Sequence, residues 1–125
     1  MQFLWDDSYN IGNKKIDAQH QFVFELAEKM INATAKSELI KYFMMLYQHI
    51  GEHFKEEETL LAEHNHPSYQ HHVNCHNMML DNLVEISEKI NNDTWNKTDI
   101  ERFMYSWATE HILIEDRELE ECINQ

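Results

Sequence analysis

Apolar residues recur every three or four positions in four stretches of the chain, and polar residues dominate between them. This period is that of one face of an α-helix packed on a core. In the first stretch Phe22, Leu26 and Met30 carry it, and in the second Leu46 and Ile50 belong to a longer series. The pattern predicts helices over residues 16–34, 37–63, 68–91 and 98–123.

Residues at the ends of these stretches match known helix signals. Ser37 is a natural N-cap for the second helix, and Asn65 with Pro67 separates the second helix from the third. Thr98 and Glu101 have the spacing of a capping box at the start of the fourth helix. Gly51 is unfavourable inside a helix, so we expect close packing at that position.

The loops between the four helices are short, and short connections favour antiparallel neighbours. The predicted fold is therefore an all-α, up-down-up-down four-helix bundle that takes up residues 1–125 as one domain. Residues 1–14 have no helical period but contain Trp5 and other apolar residues. We predict an ordered N-terminal arm. Simple packing is the favoured role for Trp5, and the alternative is that it covers a buried site.

Composition narrows the picture. A chain of 125 residues suits one domain, and only two Gly and one Pro disfavour an all-β fold with many turns. The net charge of −13 repels nucleic acid and anionic membranes, so neither is an expected partner. No stretch is apolar enough to span a bilayer, and the first residues lack the basic cluster of a signal peptide. We expect a cytoplasmic monomer.

Histidines and carboxylates supply the candidate chemistry. His53 and Glu57 lie four residues apart, and so on one face of the second helix. His72 and His76 repeat that step on the third helix, and His20 lies on the first. Each of these alone is most simply a surface or core residue. Together they occur on different helices of a bundle, where metal sites are built between facing helices.

The fourth helix adds a pair with less regular spacing. His111 and Asp116 are five residues apart, which on an ideal helix is a rotation of about 140°. Convergence on one target would need a π-bulge or an extended rotamer. Spacing alone favours Glu115 as the partner of His111.

Five imidazoles and two carboxylates are too many ligands for one tetrahedral zinc ion. They suit two octahedral ions bridged by the carboxylates. Imidazole binds iron, zinc and copper, so the ligand types leave the metal open. The ferritin-like plan uses Glu-x-x-His motifs on the helices. Here that spacing occurs at Glu63–His66 in a predicted loop, so this plan fits poorly.

These motifs resemble those of the hemerythrin family, in particular its single-domain members, and the resemblance spans nearly the whole chain. The residues that carry it are Ile11-Gly12, Ile16-Asp17-x-Gln19-His20, His53-Phe54-x-x-Glu57-Glu58, His66-Pro67 leading to His72-x-x-x-His76, and Trp107-x-x-x-His111-Ile112-x-x-x-Asp116.

The resemblance implies a non-haem di-iron site with an oxo or hydroxo bridge between two iron ions. It assigns His72, His76 and His111 to one iron, His20 and His53 to the other, and Glu57 and Asp116 as bridges, with Asp116 in place of Glu115. The family binds dioxygen reversibly at the open position of the two-histidine iron, and other small diatomic molecules are possible ligands.

One position departs from the family pattern. A bulky aliphatic residue commonly follows the tryptophan of the last helix, whereas this chain has Ala108. We expect a wider ligand pocket if Ala108 faces it.

Two classes of function follow. The first is reversible dioxygen binding, as a carrier, store or sensor. The alternative is a di-iron enzyme on the same bundle, such as an oxidase, a peroxidase or a nitric-oxide-handling protein. The sequence offers no spare acid–base pair and no obvious substrate funnel, which favours binding over catalysis. An acidic helical interaction module with incidental histidines is disfavoured, because such histidines would not fall in order on four helices.

Overall fold

The computed structural model describes residues 7, 10, 14–107, 111 and 112. These residues form four α-helices and no strand: α1 (Lys14–Ile31), α2 (Lys36–Glu63), α3 (Tyr69–Asn91) and α4 (Lys97–Ser106). Most of the predicted N-terminal arm and most of the chain beyond Trp107 lie outside the described residues. Trp5, Ala108 and Asp116 are therefore not placed.

The helices pack as a closed ring around one core. Helix α1 contacts α2 and α4, and α3 contacts the same two helices. The connections span only residues 32–35, 64–68 and 92–96, so each helix runs back along the one before it. This arrangement confirms the predicted all-α four-helix bundle.

The core consists of the apolar positions that set the helical period. Val23 and Leu26 of α1, Leu46 and Ile50 of α2, and Leu83 of α3 are fully buried. Each such side chain contributes roughly 1.5–3 kcal/mol through removal of its surface from water. Leu26, Leu46 and Ile50, which belong to the predicted apolar series, are thus core residues, and Val23 and Leu83 pack with them.

All four helices begin within two residues of their predicted starts, at Lys14, Lys36, Tyr69 and Lys97. Helix α2 has Ala35 as its N-cap, without a side-chain hydrogen bond, and Ser37 lies inside the helix. The prediction for Ser37 was wrong because propensity marks suitable cap residues, whereas the turn geometry decides which residue occupies the cap.

The start of α4 has a capping box two residues before the predicted one. The Asn96 side chain accepts a hydrogen bond from the backbone N–H of Asp99, and the Asp99 carboxylate accepts one from the backbone N–H of Asn96. Lys89 of α3 also pairs with Asp99 at 3.0 Å. Thr98 therefore lies within the helix. The ion pair between Lys89 and Asp99 adds to the stabilisation of a helix start at Lys97.

Gly51 has a different environment from the one expected. A Cβ atom built at this position would meet no described atom within 4 Å. The expectation of close packing was wrong, since the neighbouring helices leave open space beside this residue.

None of the helices in the described part of the chain combines the length and apolar character that a membrane crossing requires.

We expect Gly51→Ala to stabilise the protein. The methyl group enters open space, and alanine is more favourable than glycine in a helix interior by about 1 kcal/mol. Urea unfolding of the metal-free protein measures this change. A loss of stability would instead show that the helices approach too closely at residue 51 to admit a methyl group.

Candidate metal centre

All the buried polar residues of the described chain lie at one end of the bundle. His20 is near the start of α1, Glu57 near the end of α2, and His72 and His76 near the start of α3. His111 follows α4 on the same side. In an antiparallel bundle the start of one helix lies beside the end of the next, so the topology itself brings these positions together.

The side chains meet around the carboxylate of Glu57. Its Oε2 atom lies 3.0 Å from His53 Nε2 and 3.3 Å from His20 Nε2. Its Oε1 atom lies 3.2 Å from His76 Nε2 and 3.3 Å from His111 Nε2. Each oxygen therefore faces its own pair of imidazoles, one pair on α1 and α2, the other on α3 and the segment after α4.

These separations match ligands that share a metal ion. Two ligands with bonds of about 2.1 Å at right angles are about 3.0 Å apart. Potential ligand atoms of His20, His53, Glu57 and His111 all lie within 4.8 Å of one another. The cluster is thus compact enough to hold a metal ion with little rearrangement.

Burial and hydrogen bonding also favour a bound cation. His53 Nε2 and His76 Nε2 are fully buried, and neither has a partner in hydrogen-bond geometry, although a Glu57 oxygen is close. A buried polar atom without a partner costs about 1–3 kcal/mol. A metal ion on each side of Glu57 would satisfy the nitrogen on that side.

The ionisation of the cluster suits metal binding. Burial lowers the pKa of His53 and outweighs the opposing effect of Glu57. Burial alone would raise the pKa of Glu57, but the surrounding imidazoles, His53 and His111 first among them, hold it well below its usual range. Both groups therefore favour the deprotonated forms that bind metals.

His72 is the neighbour of His76 on α3. It is fully buried, its ring centroid lies 6.0 Å from that of His76, and its Nδ1 donates a hydrogen bond to the Ser68 carbonyl at 3.1 Å. A neutral imidazole that donates through Nδ1 keeps the lone pair of Nε2 for another partner. His72 therefore has the protonation pattern of a ligand on the His76 side.

The described residues after Ser106 are π-helical. Trp107, His111 and Ile112 have π-helical hydrogen bonding. In such a turn residues five apart are bonded and lie close to one face. Asp116, the predicted partner of His111, lies outside the described residues.

Aromatic rings pack directly on the imidazoles. Phe54 stacks on His76 with ring centroids 3.9 Å apart, and Trp107 lies 4.3 Å from His111. Trp107 also contacts the rings of His20 and His53, each at 5.6 Å. Phe54 and Trp107 are both buried, so they shield the cluster from bulk water.

Sequence reasoning missed a hydrogen-bond partner of the cluster. Gln19 Oε1 accepts a hydrogen bond from His53 Nδ1 at 2.7 Å, and the Gln19 amide nitrogen donates to Glu56 Oε2 at 2.6 Å. Glu58 Oε1 lies 3.6 Å from His76 Nδ1. The available signal was the position of Gln19 next to His20 and of Glu58 next to Glu57 in the motifs.

Other histidines stay out of the cluster. His49 continues the four-residue series of His53 and Glu57, but its Nε2 donates a hydrogen bond to the Gln19 main-chain carbonyl at 3.0 Å. His64 and His71 are exposed, and His66 is half-buried with its Nδ1 bonded to Ser68.

The described chain is thus a four-helix protein with a buried histidine–carboxylate cluster that could hold a metal ion. Curated relatives support a narrower assignment. The chain is 26% identical to a bacteriohemerythrin of Clostridium acetobutylicum over 126 residues, which cover 93% of this chain and 97% of the relative. It is 25% identical to a myohemerythrin of Riftia pachyptila and 27% identical to a hemerythrin-like protein of Naegleria gruberi, each over 88% of this chain and 84% of the relative.

No protein-family model matches the chain. No solved structure matches it at a significant level either. The similarity to named hemerythrins over most of the chain, together with the four helices and the cluster around Glu57, supports assignment of the chain to the hemerythrin family.

We expect the metal-free protein to lose stability on acidification. The pKa of His53 lies below its ordinary value of 6.5 in the fold, so the unfolded chain binds more protons as the pH falls below that value. The free energy of unfolding is therefore highest above pH 6.5, and it decreases as the pH falls below that value. The lowered pKa of Glu57 acts in the same direction below 4.5.

Thermal unfolding between about pH 7.5 and about pH 5.5 measures this effect. His53→Gln should flatten the pH dependence, whereas His64→Gln, at an exposed position, should leave it unchanged. A melting temperature of the unsubstituted protein that stays constant over this range would contradict the expectation.

Proposed function

We propose that this protein binds dioxygen reversibly at a non-haem di-iron centre. The observation that carries the proposal is the buried Glu57 carboxylate, whose two oxygens face two separate pairs of imidazoles. A carboxylate in this position could bridge two ions, one on each side. The resemblance to hemerythrins supports iron as the metal.

The two sides of Glu57 support the division of four of the histidines between two irons, and His72 is added to the second set on the resemblance. His20 and His53 would hold one iron, and His76, His111 and His72 would hold the other. Asp116 is proposed as a second bridge on the resemblance alone, and Ala108 as a residue that lines the ligand pocket likewise. Trp5 is the candidate to cover the site, as the alternative to simple packing. Two iron ions held there, with an oxo or hydroxo bridge between them, would supply the electrons and an open coordination position for dioxygen.

The residues of the chain favour binding without further reaction. The buried polar side chains of the described residues are all proposed ligands: His20, His53, Glu57, His72, His76 and His111. No additional buried acid or base is present among them to deliver protons to a bound molecule. Phe54 and Trp107 limit the entry of water, and neutral imidazoles keep the negative charge of the centre low.

Visible absorption of the anaerobically reduced, iron-loaded protein tests the proposed function. We expect a charge-transfer spectrum that appears on admission of air and disappears when oxygen is removed. A spectrum that passes directly to that of the oxidised protein, with release of peroxide or water, would transfer the assignment to a di-iron enzyme. The monomeric state and the cytoplasmic location stay predictions.

Replacement of the central carboxylate tests the bridging role. We expect Glu57→Gln to bind at least one iron fewer per chain, because the neutral amide is a poor bridge between two cations. Iron content after loading and desalting measures this. Glu52→Gln is the matched control, since Glu52 lies exposed on the same helix. Full loading of the Glu57 variant would contradict the bridging assignment.

A further inference from the structure

Gln19 links the candidate metal centre to the protein surface. It is half-buried on α1, one residue before His20, and its side chain reaches α2. We propose that Gln19 is a positioning residue that sets the tautomer of His53, and that Glu56 fixes the orientation of the Gln19 amide. This inference rests on the proposed function only in treating His53 as a ligand.

The contact between Gln19 and His53 determines where the imidazole carries its proton. Gln19 Oε1 is a carbonyl oxygen and can only accept, so His53 Nδ1 must donate across the 2.7 Å separation. A neutral imidazole has a single N–H group. His53 Nε2 therefore has its lone pair available on the side of Glu57, as a metal ligand requires.

The amide of Gln19 is held in the matching orientation from its other end. Its nitrogen donates to Glu56 Oε2 at 2.6 Å, and Lys15 Nζ lies 3.3 Å from Glu56 Oε1. Rotation of the amide by 180° would place its carbonyl against the Glu56 carboxylate and its NH2 group against His53 Nδ1. Glu56 therefore disfavours the orientation that would reverse the His53 tautomer.

The main chain of Gln19 is anchored as well. Its carbonyl oxygen accepts a hydrogen bond from His49 Nε2 at 3.0 Å, one turn before His53 on α2. The two hydrogen bonds attach α1 to α2 on both sides of the Gln19 side chain. His20, the next residue, is thereby held beside Glu57.

The neutral amide also keeps negative charge away from His53. A carboxylate bonded directly to the distal nitrogen of a ligand histidine makes the imidazole a stronger donor. Here the amide separates the Glu56 carboxylate from His53 by one side chain. On the opposite side of the cluster His76 Nδ1 faces the Glu58 carboxylate at 3.6 Å, so the two halves differ in their surrounding charge.

A reciprocal exchange isolates this role. Gln19→Glu combined with Glu56→Gln keeps the net charge and allows the same hydrogen bond in reverse, but it moves the carboxylate onto His53. We expect the dissociation constant for Fe(II), titrated anaerobically, to fall by about tenfold, the lower end of the range for changes to such partners. Gln19→Leu removes the acceptor, and we expect it to raise that constant by about tenfold.

The matched control is the exchange Gln48→Glu with Glu52→Gln. These two residues are exposed and form an amide–carboxylate hydrogen bond of 3.3 Å on α2. We expect this exchange to leave Fe(II) affinity unchanged. If Gln19→Leu fails to fold, the reciprocal exchange still tests the inference, because it preserves both the hydrogen bond and the charge.

The imidazole nitrogens of the metal-free protein provide a readout that does not depend on iron. ¹⁵N NMR should show His53 protonated at Nδ1 in the unsubstituted protein and in the reciprocal exchange, and a mixture of tautomers in Gln19→Leu. An unchanged tautomer in Gln19→Leu, or an unchanged Fe(II) affinity in both Gln19 variants, would overturn the inference. A protein that binds two Fe(II) without a reversible oxygen spectrum would instead overturn the proposed function alone.

Discussion

The packing of the helices around the candidate metal centre depends on the contacts between the Glu57 carboxylate and the surrounding imidazoles. An ionised carboxylate taken out of water costs several kcal/mol unless partners compensate it. Glu57 is fully buried, and each of its oxygens lies within 3.3 Å of two imidazole nitrogens. No single helix can supply these partners, so the burial of Glu57 is tolerable only when the four chain segments have come together in register.

The antiparallel topology makes this convergence possible with few residues. His20 lies near the start of α1 and His76 near the start of α3, and both therefore meet the end of α2. The rest of the core is apolar, with Leu46, Ile50 and Leu83 fully buried. The polar cluster thus occupies one end of the bundle, and the apolar layers supply most of the stability. Their contribution offsets the free-energy cost of burying the polar cluster when no metal is bound.

Several features of the fold could be predicted from the sequence alone. The period of the apolar residues predicted four helices because burial of one helix face requires that period. Helix ends were less accessible: Ser37 and Asn96 are both suitable N-caps, and only the path of the preceding loop determines that Asn96 caps α4 while Ser37 lies inside α2. The space beside Gly51 depends on the distance between helices, which no local pattern encodes.

For the candidate site, the sequence by itself determined the residue types and their faces: His53 with Glu57, and His72 with His76, lie one turn apart because the helix has about 3.6 residues per turn. The ligand roles stay predictions, and Asp116 lies outside the described residues. Only the tertiary structure decided that the oxygens of Glu57 divide the imidazoles into two pairs, and that Gln19 joins His53 to Glu56. Apart from the contact between His53 and Glu57, these contacts connect residues 19 or more positions apart, so they exist only after the helices have packed.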